Sequence, residues 1–468
     1  MSRVIVIGAG FSGSAAALML AADGHEVLVV DRDAGPVPAG PDEAWEWDRR
    51  SIRQYRFAHG LLPRGHRMMA QLFPHLVERL REHGGLEINL AHAFVDLVPG
   101  STHRPDDDRF GTVTARRPTF DWLWASALAD EPTISVCRGV PVAGLLRGAD
   151  VEGGVAHVVG VRLADGTELR ADLVVDAGGR GSPIAELLAD IGVPRPPTDE
   201  HDSGFAYTGR YYRSPDGELP ELRAPIITPM GSISLLTLPA DRATWSVTVY
   251  TRAEDRALRP VRHPDVFDRV LGACPLHAHW LDGEPIRDIA SMNGVTNRIR
   301  RFVVDGVPVA TGLVALGDAR QCTDPSLGRG MTMGLMHSEV LRDVLRHHEA
   351  GSTELAVAFD AATEAVIGPW YEATVQNGQL RLAEMGAAVR GEPFAPEGPA
   401  AVAMALGRAK SVDEDAARWF VELLSCLTTP DELFSRPGVL ARVVDIDTRV
   451  DQRAVPGPDR AELLALVA

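Results

Sequence analysis

The chain of 468 residues is almost without lysine: Lys410 is the only one, so its other basic side chains are all arginine. That removes the primary amine, and with it Schiff-base chemistry, from nearly every position. Cysteine is also scarce. Cys137, Cys274, Cys322 and Cys426 make no C-x-x-C pair, which excludes a redox dithiol and a zinc ribbon. Unpaired thiols fit a reducing cytoplasm. H-E-x-x-H, paired metal-ligand sets and G-x-S-x-G are absent, so metal-assisted hydrolysis and a nucleophile elbow lack their parts. No apolar run reaches membrane-spanning length. The run Ala15–Ala22 follows a strand and a glycine turn and has only Arg3 as a basic leader, so it reads as a helix and not as a signal peptide. Positive charge is outweighed, and the net charge of -17 repels phosphate backbones, which argues against a nucleic-acid partner.

What is present is ordinary globular material, 45% hydrophobic and 24% charged, enough for a large core in two or more domains. Val4-Ile5-Val6-Ile7 has strand length, and Gly8, Gly10 and Gly13 follow as G-x-G-x-x-G. Ser14–Ala22 is small, apolar helix material, Gly24 ends it, and Val27–Val30 is a second strand closed by Asp31. Strand, turn, helix, strand and acid in that order are the context a dinucleotide fingerprint requires. Gly8 permits the tight turn, Gly10 lets the backbone approach a pyrophosphate, and Gly13 lets helix and strand pack closely. The free N–H groups at the helix start, around Phe11 and Ser12, face the phosphates, and Asp31 accepts from ribose hydroxyls. Asp31 followed by Arg32 leaves FAD and NAD(P) both open.

Residues 314–345 contain a strand ending at Leu316, the turn Gly317-Asp318, a loop shaped by Pro325, Gly328 and Gly330, and a helix from about Met331. This run resembles the second FAD motif of the para-hydroxybenzoate-hydroxylase superfamily, G-D-A-x(5-6)-P-x-x-G-x-G. The resemblance implies that Asp318 binds a ribityl hydroxyl and that Pro325, Gly328, Arg329, Gly330 and Met331 border the flavin. The segment Asp176–Ser182 resembles the D-G-x-x-S stretch of the same superfamily, with Ala177 in the usual glycine position and Arg180 before a Gly-Ser pair. That stretch is linked to NAD(P)H use, and the departure weakens the link. In "RRPTFDWLWASAL", Arg117, Phe120 and Asp121 match a family helix whose arginine reaches phosphate or ribityl oxygens, and Val142 matches a position bordering adenine. The run 52–85 resembles bacterial polyether epoxidases and related flavoproteins of specialised metabolism at Gln54, Arg56, His59, Arg64 and Gly65. By that resemblance His59 is a candidate donor to substrate or flavin.

Residues 155–170 alternate and turn at Asp165-Gly166, a hairpin signal. Between about 200 and 250, "FAYTGRYYR", "SISLLTL" and "TWSVTVY" read as antiparallel strands carrying Phe205, Tyr207, Tyr211, Trp245 and Tyr250. Phe205, Tyr207, Tyr211 and Trp245, with Gln54, are candidate pocket residues, although aromatics in a sheet also serve as cross-strand packing. Met331, Met333 and Met336 read as core.

The expected fold is therefore α/β. It has a Rossmann-like FAD-binding domain (1–75, 100–183 and 290–350), an antiparallel substrate domain (76–99 and 184–289) and a helical C-terminal region (351–468). The resemblance implies a cytoplasmic FAD-dependent monooxygenase that transfers one oxygen atom of O2, through a flavin C4a-hydroperoxide, to an apolar or aromatic small molecule. With no second G-x-G-x-x-G unit and no dithiol, electrons come from transiently bound NAD(P)H or from a separate flavin reductase. No metal is expected. A reductase or dehydrogenase of the same fold and a non-enzymatic flavin-binding module stay open. A flavin-dependent halogenase would need a pocket lysine and a W-x-W-x-I-P segment, and Trp245 instead opens "WSVTV".

Overall fold

The structure, a computed structural model, describes residues 1–449 and 455–468. In chain order, the elements that build the site are β1 (Arg3–Ile7), α1 (Phe11–Ala22), β2 (Glu26–Asp31), α2 (Arg117–Asp130), β3 (Ile134–Arg138), β4 (Leu173–Asp176), β5 (Phe205–Arg213), β6 (Ile227–Met230), β7 (Ile233–Ala240), β8 (Thr244–Arg252), β9 (Thr296–Arg300) and β10 (Leu313–Ala315). Helices follow: α3 (Gly330–Leu345), α4 (Gly368–Arg390), α5 (Gly398–Ala409), α6 (Glu414–Leu424) and α7 (Val439–Arg449).

Five parallel strands form one sheet in the order β10-β4-β1-β2-β3. Val4 lies opposite Val27 and Leu173, and Val27 opposite Ile134. The sheet is covered on both faces. Val4, Val6, Val27 and Val29 enter the core shared with α1 and α2, while Ile5, Val30, Val174 and Leu313 enter a second core on the other side. Two-sided burial is why these strands are unbroken apolar runs in the sequence. Helix α1 is enclosed as well: Ala15, Ala16 and Ala17 are fully buried, and their small side chains let α3 and α2 come close. Leu76, Val77, Leu80, Leu90, Phe94 and Val95 share the core of Val4 and Val6.

The hairpin at Asp165-Gly166 forms between strands Val158–Leu163 and Glu168–Arg170. Gly166 takes φ +89°, and the Thr167 N–H donates to Asp165 Oδ1 at 2.9 Å.

The second large sheet is antiparallel, with β6-β7-β8-β5 as neighbours. Its register sets Tyr207 opposite Tyr250, Tyr211 opposite Ser246 and Leu236 opposite Thr248. Side chains alternate across it. Tyr212, Trp245, Val247 and Val249 face outward onto Phe267 and Trp280, whereas Phe205, Tyr207 and Tyr250 face inward with Phe57. A fully buried ion pair fastens this sheet to the start of α2. Asp241 accepts from the Arg116 backbone N–H at 2.6 Å, from its Nε and Nη2 at 3.0 and 2.9 Å, and from the Thr119 hydroxyl at 2.8 Å. Such a pair is tolerated because both carboxylate oxygens and two of the guanidinium nitrogens are hydrogen-bonded to one another. Helices α5, α6 and α7 close on a core of their own around Leu406, Ala409, Ala416 and Val443. Among the described residues no helix is long and apolar enough to cross a membrane.

Candidate active site at the meeting of three turns

The first turn is the G-x-G-x-x-G. Gly8 takes φ +101°, and a Cβ there would lie 2.6 Å from the Ala177 carbonyl oxygen. A Cβ at Gly13 would lie 1.9 Å from the Gly8 oxygen. A Cβ at Gly10 would meet nothing within 4 Å, so this glycine borders open space at the uncapped N-terminus of α1. The geometry thus divides the glycines: two permit the turn, and one leaves room for a ligand. Phe11 contributes backbone only, since its ring packs against Phe120 and Trp124. The Ser12 hydroxyl instead abuts the second turn, 2.8 Å from a Cβ placed on Gly317 and 2.2 Å from one on Gly334.

Asp31 is buried and already engaged. Its Oδ2 accepts from the Ala9 N–H at 2.7 Å and its Oδ1 from Asp33 at 2.8 Å. Arg49, which the sequence reading did not single out, lies 3.5 Å from Asp31 Oδ2 and donates to the Ala9 carbonyl. Its Nε and Nη1, with Trp47 Nε1 and Arg138 Nη1, are buried without hydrogen-bond partners. Both guanidiniums lie over the Trp47 ring, Arg49 at 4.6 Å and Arg138 at 5.6 Å from its centroid. No spacing in "WEWDRR" announces this cluster; β-strand pairing of Asp31 with Arg138 creates it. Arg32 is exposed, and Val142 is half-buried against the second core. Arg117 is buried with only Nε engaged, donating to Asp121 at 3.0 Å, so its terminal nitrogens donate to no protein partner among the described residues.

The second turn, Gly317-Asp318, sits beside Ser12, and α3 begins at Gly330 against α1. Gly328 takes φ +64°, and Cβ atoms on Gly328 and Gly330 would meet nothing within 4 Å. Asp318 is partly exposed. Arg329 turns away from this space: it donates to Thr374 Oγ1 at 3.0 Å and to the Leu423 carbonyl at 2.6 Å and lies over Trp370. Met331 is core. Asp324, just before Pro325, is buried. Its Oδ1 accepts from the Ser326 N–H at 3.0 Å and the Tyr207 hydroxyl at 3.3 Å, while Oδ2 has no partner. Burial raises its pKa against the hydrogen bonds that lower it.

The third turn follows β4. Asp176 points inward and accepts from Gly178 N–H at 2.9 Å and from the Ser182 hydroxyl at 2.5 Å. Ala177 buttresses the first turn through the contacts with Gly8 and Gly13. Arg180 reaches Asp318 Oδ2 at 3.4 Å.

The inward face of the antiparallel sheet covers these turns. Tyr207 bonds Asp324, and Tyr211 donates to the Phe57 carbonyl at 3.1 Å. Burial pushes the Tyr250 phenol up to about 12, so these phenols stay neutral donors. Trp245 lies on the opposite face, with its Nε1 donating to the Trp280 carbonyl at 2.8 Å. Strand alternation explains this: Trp245 and Tyr250 are an odd number of residues apart on one strand. Gln54 is half-buried and its carbonyl accepts from Phe57 N–H. His59 Nδ1 lies 2.9 Å from the Phe57 carbonyl, which makes it the protonated nitrogen and leaves Nε2 as an acceptor. Burial, reinforced by Arg117, pushes His59 down to about 3, so it is neutral and accepts rather than donates.

Residues 3–95 match the family described as FAD dependent oxidoreductase. That match is confined to the N-terminal part of the chain. The protein Rv3254 of Mycobacterium tuberculosis is 28% identical to it over 467 residues, covering 93% of this chain and 91% of that one. Among solved structures, PqsL of Pseudomonas aeruginosa, a probable FAD-dependent monooxygenase, superposes with a TM-score of 0.59 at 19% identity over 82% of this chain and 96% of its own. The anhydrotetracycline hydroxylase OxyS of Streptomyces rimosus gives 0.57 at 20% identity, over 92% and 77%. Flavin-dependent halogenases share the fold too. The fold is therefore that of the FAD-dependent monooxygenases and halogenases. The residues fit an FAD: open glycines at two turns, an uncapped helix start and buried polar atoms of Arg49, Arg138 and Asp324 that have no hydrogen-bond partner among the described residues.

Proposed function

We propose that this protein is an FAD-dependent monooxygenase that inserts one oxygen atom of O2 into an apolar or aromatic small molecule in the cytoplasm. The observation that carries the reading is the convergence of the Gly10, Asp318 and Gly328–Gly330 turns beneath an aromatic sheet face. When bound, the flavin supplies electron transfer and activation of O2. The chain supplies the rest. The α1 N-terminus and Arg117 hold the pyrophosphate. Asp318 accepts from a ribityl hydroxyl. The N–H groups opening α3 would favour negative charge on a flavin bound against them. Tyr207, Tyr250 and Phe57, which share one apolar cluster, would keep water from a flavin bound beside them. His59 Nε2 accepts from a donor group in the cavity. Electrons come from NAD(P)H or a separate flavin reductase. The domain limits are those expected above.

The halogenase fold match gives the second reading its one support. Against it, the single lysine ends α5 with its ammonium 4.0 Å from the Phe420 ring centroid, among the C-terminal helices.

Reduced protein mixed with 18O2 and an accepted substrate should give a product carrying one labelled oxygen. Product formed without O2, or without label, supports the reductase or dehydrogenase alternative. A chlorinated product in the presence of chloride supports the halogenase.

A further inference from the structure

We infer that Arg180 is a positioning residue for the cofactor, clamping one oxygen of the Asp318 carboxylate so that the other is presented to a ribityl hydroxyl. The inference rests on the FAD reading above. It also gives a task to Arg180, which precedes the Gly-Ser pair of the third turn.

All three guanidinium nitrogens of Arg180 are engaged. Nη1 donates to the Thr296 carbonyl on β9 at 3.1 Å, Nη2 to the Thr323 carbonyl in the second-motif loop, and Nε faces Asp318 Oδ2 at 3.4 Å. One planar fork therefore joins the third turn, β9 and the second motif, and its direction is fixed by two carbonyls before it meets the carboxylate. A second arginine holds the backbones in step. Arg298 Nη2 donates to the carbonyl of Arg180 at 3.0 Å and to that of Asp318 at 3.1 Å. Burial disfavours the charge on Arg180, but Asp318, Cys322, Asp324 and Tyr207 outweigh it, and the guanidinium stays charged.

Asp318 is the free end of this assembly. Its side chain is 26% exposed, and its one charged contact among the described residues is the ion pair with Arg180. Its neighbour Gly317 abuts Ser12, which brings the carboxylate to the opening between the first two turns. A carboxylate on an exposed turn would sample several rotamers. Held on one oxygen, it offers the other in a single direction, and less conformational freedom is lost when a ligand hydroxyl docks. Lysine at 180 would keep a charge near Asp318 but could not fork to two carbonyls at once.

The test is FAD affinity, read by flavin fluorescence, for wild type, Arg180→Ala, Arg180→Lys, Asp318→Ala and the Arg180→Ala/Asp318→Ala double variant, with the melting temperature of each. Arg180→Ala should weaken FAD about 10-fold and Asp318→Ala about 10- to 100-fold, and Arg180→Lys should recover part of the loss. The double variant should bind no more weakly than Asp318→Ala, because the clamp acts only through that carboxylate. Additive losses in the double variant, or a lowered melting temperature in Arg180→Ala with wild-type affinity, would overturn the clamp. A wild-type protein without FAD affinity overturns the cofactor reading itself, and that result is distinct from either.

Discussion

At the scale of single residues, the glycines separate folding from function. Gly13 and Gly10 lie in the same short motif, yet their surroundings differ completely. A methyl on Gly13 would come 1.9 Å from a backbone oxygen that cannot rotate aside, whereas one on Gly10 would meet nothing within 4 Å. Gly10 also has φ -81°, which any residue adopts. Gly13→Ala should therefore destabilise the protein by more than about 4 kcal/mol, in the range reserved for forced core rearrangement. Gly10→Ala should keep the wild-type melting temperature to within about 0.5 kcal/mol of stability while losing FAD. Thermal melts beside flavin titrations distinguish the two. Equal behaviour of both variants would mean that Gly10 does not border the ligand.

At the scale of elements, much of the parallel sheet was legible. Val4–Ile7 and Val27–Val30 are apolar because both faces are covered, and the Asp165-Gly166 turn is specified by φ +89° at glycine. The loop before α3 was legible as a motif but not in its side-chain directions. Arg329 sits between two glycines at the expected flavin edge, yet its guanidinium reaches α4 and α6, because Thr374 and the Leu423 carbonyl lie on that side. Nothing in the local pattern encodes partners so distant in sequence. Trp245 was grouped with Tyr207 by residue type, whereas register sends it to the other face. Arg49 and Asp324 were missed for the same reason: their partners are set by tertiary pairing. Arg329→Met should consequently act on the helices. It removes the tie to the Leu423 carbonyl, so the amides of Glu414–Leu424 should exchange about 10-fold faster, equivalent to roughly 1.4 kcal/mol of lost protection. Its effect on FAD affinity should be smaller than that of Asp318→Ala. Unchanged exchange in α6 would contradict the tie.

At the scale of the whole molecule, two further buried histidines join His59 in setting the acid limit. Burial lowers His277 to about 4 and His337 to about 3. Both ring nitrogens of His337 lack a hydrogen-bond partner. Unfolded histidines take up protons near pH 6.5, so below that value the unfolded chain binds more protons than the folded one, and stability falls as pH falls. From pH 6.5 to about 4 the two together remove up to about 2.7 kcal/mol per pH unit. Asp176 and Asp324, whose folded pKa values are raised by burial, work in the opposite direction near the bottom of that range. Denaturant melts across pH 4–7 should show a slope at least this steep, and His337→Leu should reduce it by about one histidine's share, roughly 1.4 kcal/mol per pH unit. A pH-independent midpoint would show that these imidazoles are not held neutral.

The solitary lysine has a use of a different kind. Burial lowers Lys410 to about 8, so under mildly alkaline conditions its amine is largely unprotonated and nucleophilic, yet it is sealed over Phe420 within the helical cluster. An acylating reagent can reach it only when α5 and its neighbours part, so the rate of mass gain on this one side chain becomes a stopwatch for the breathing of the C-terminal helices. No other lysine competes, so peptide mapping after acylation, which separates the adduct on the exposed Met1 α-amine, would report that opening at Lys410 alone, and the same stopwatch run with and without FAD would tell whether filling the cofactor space quiets the helices.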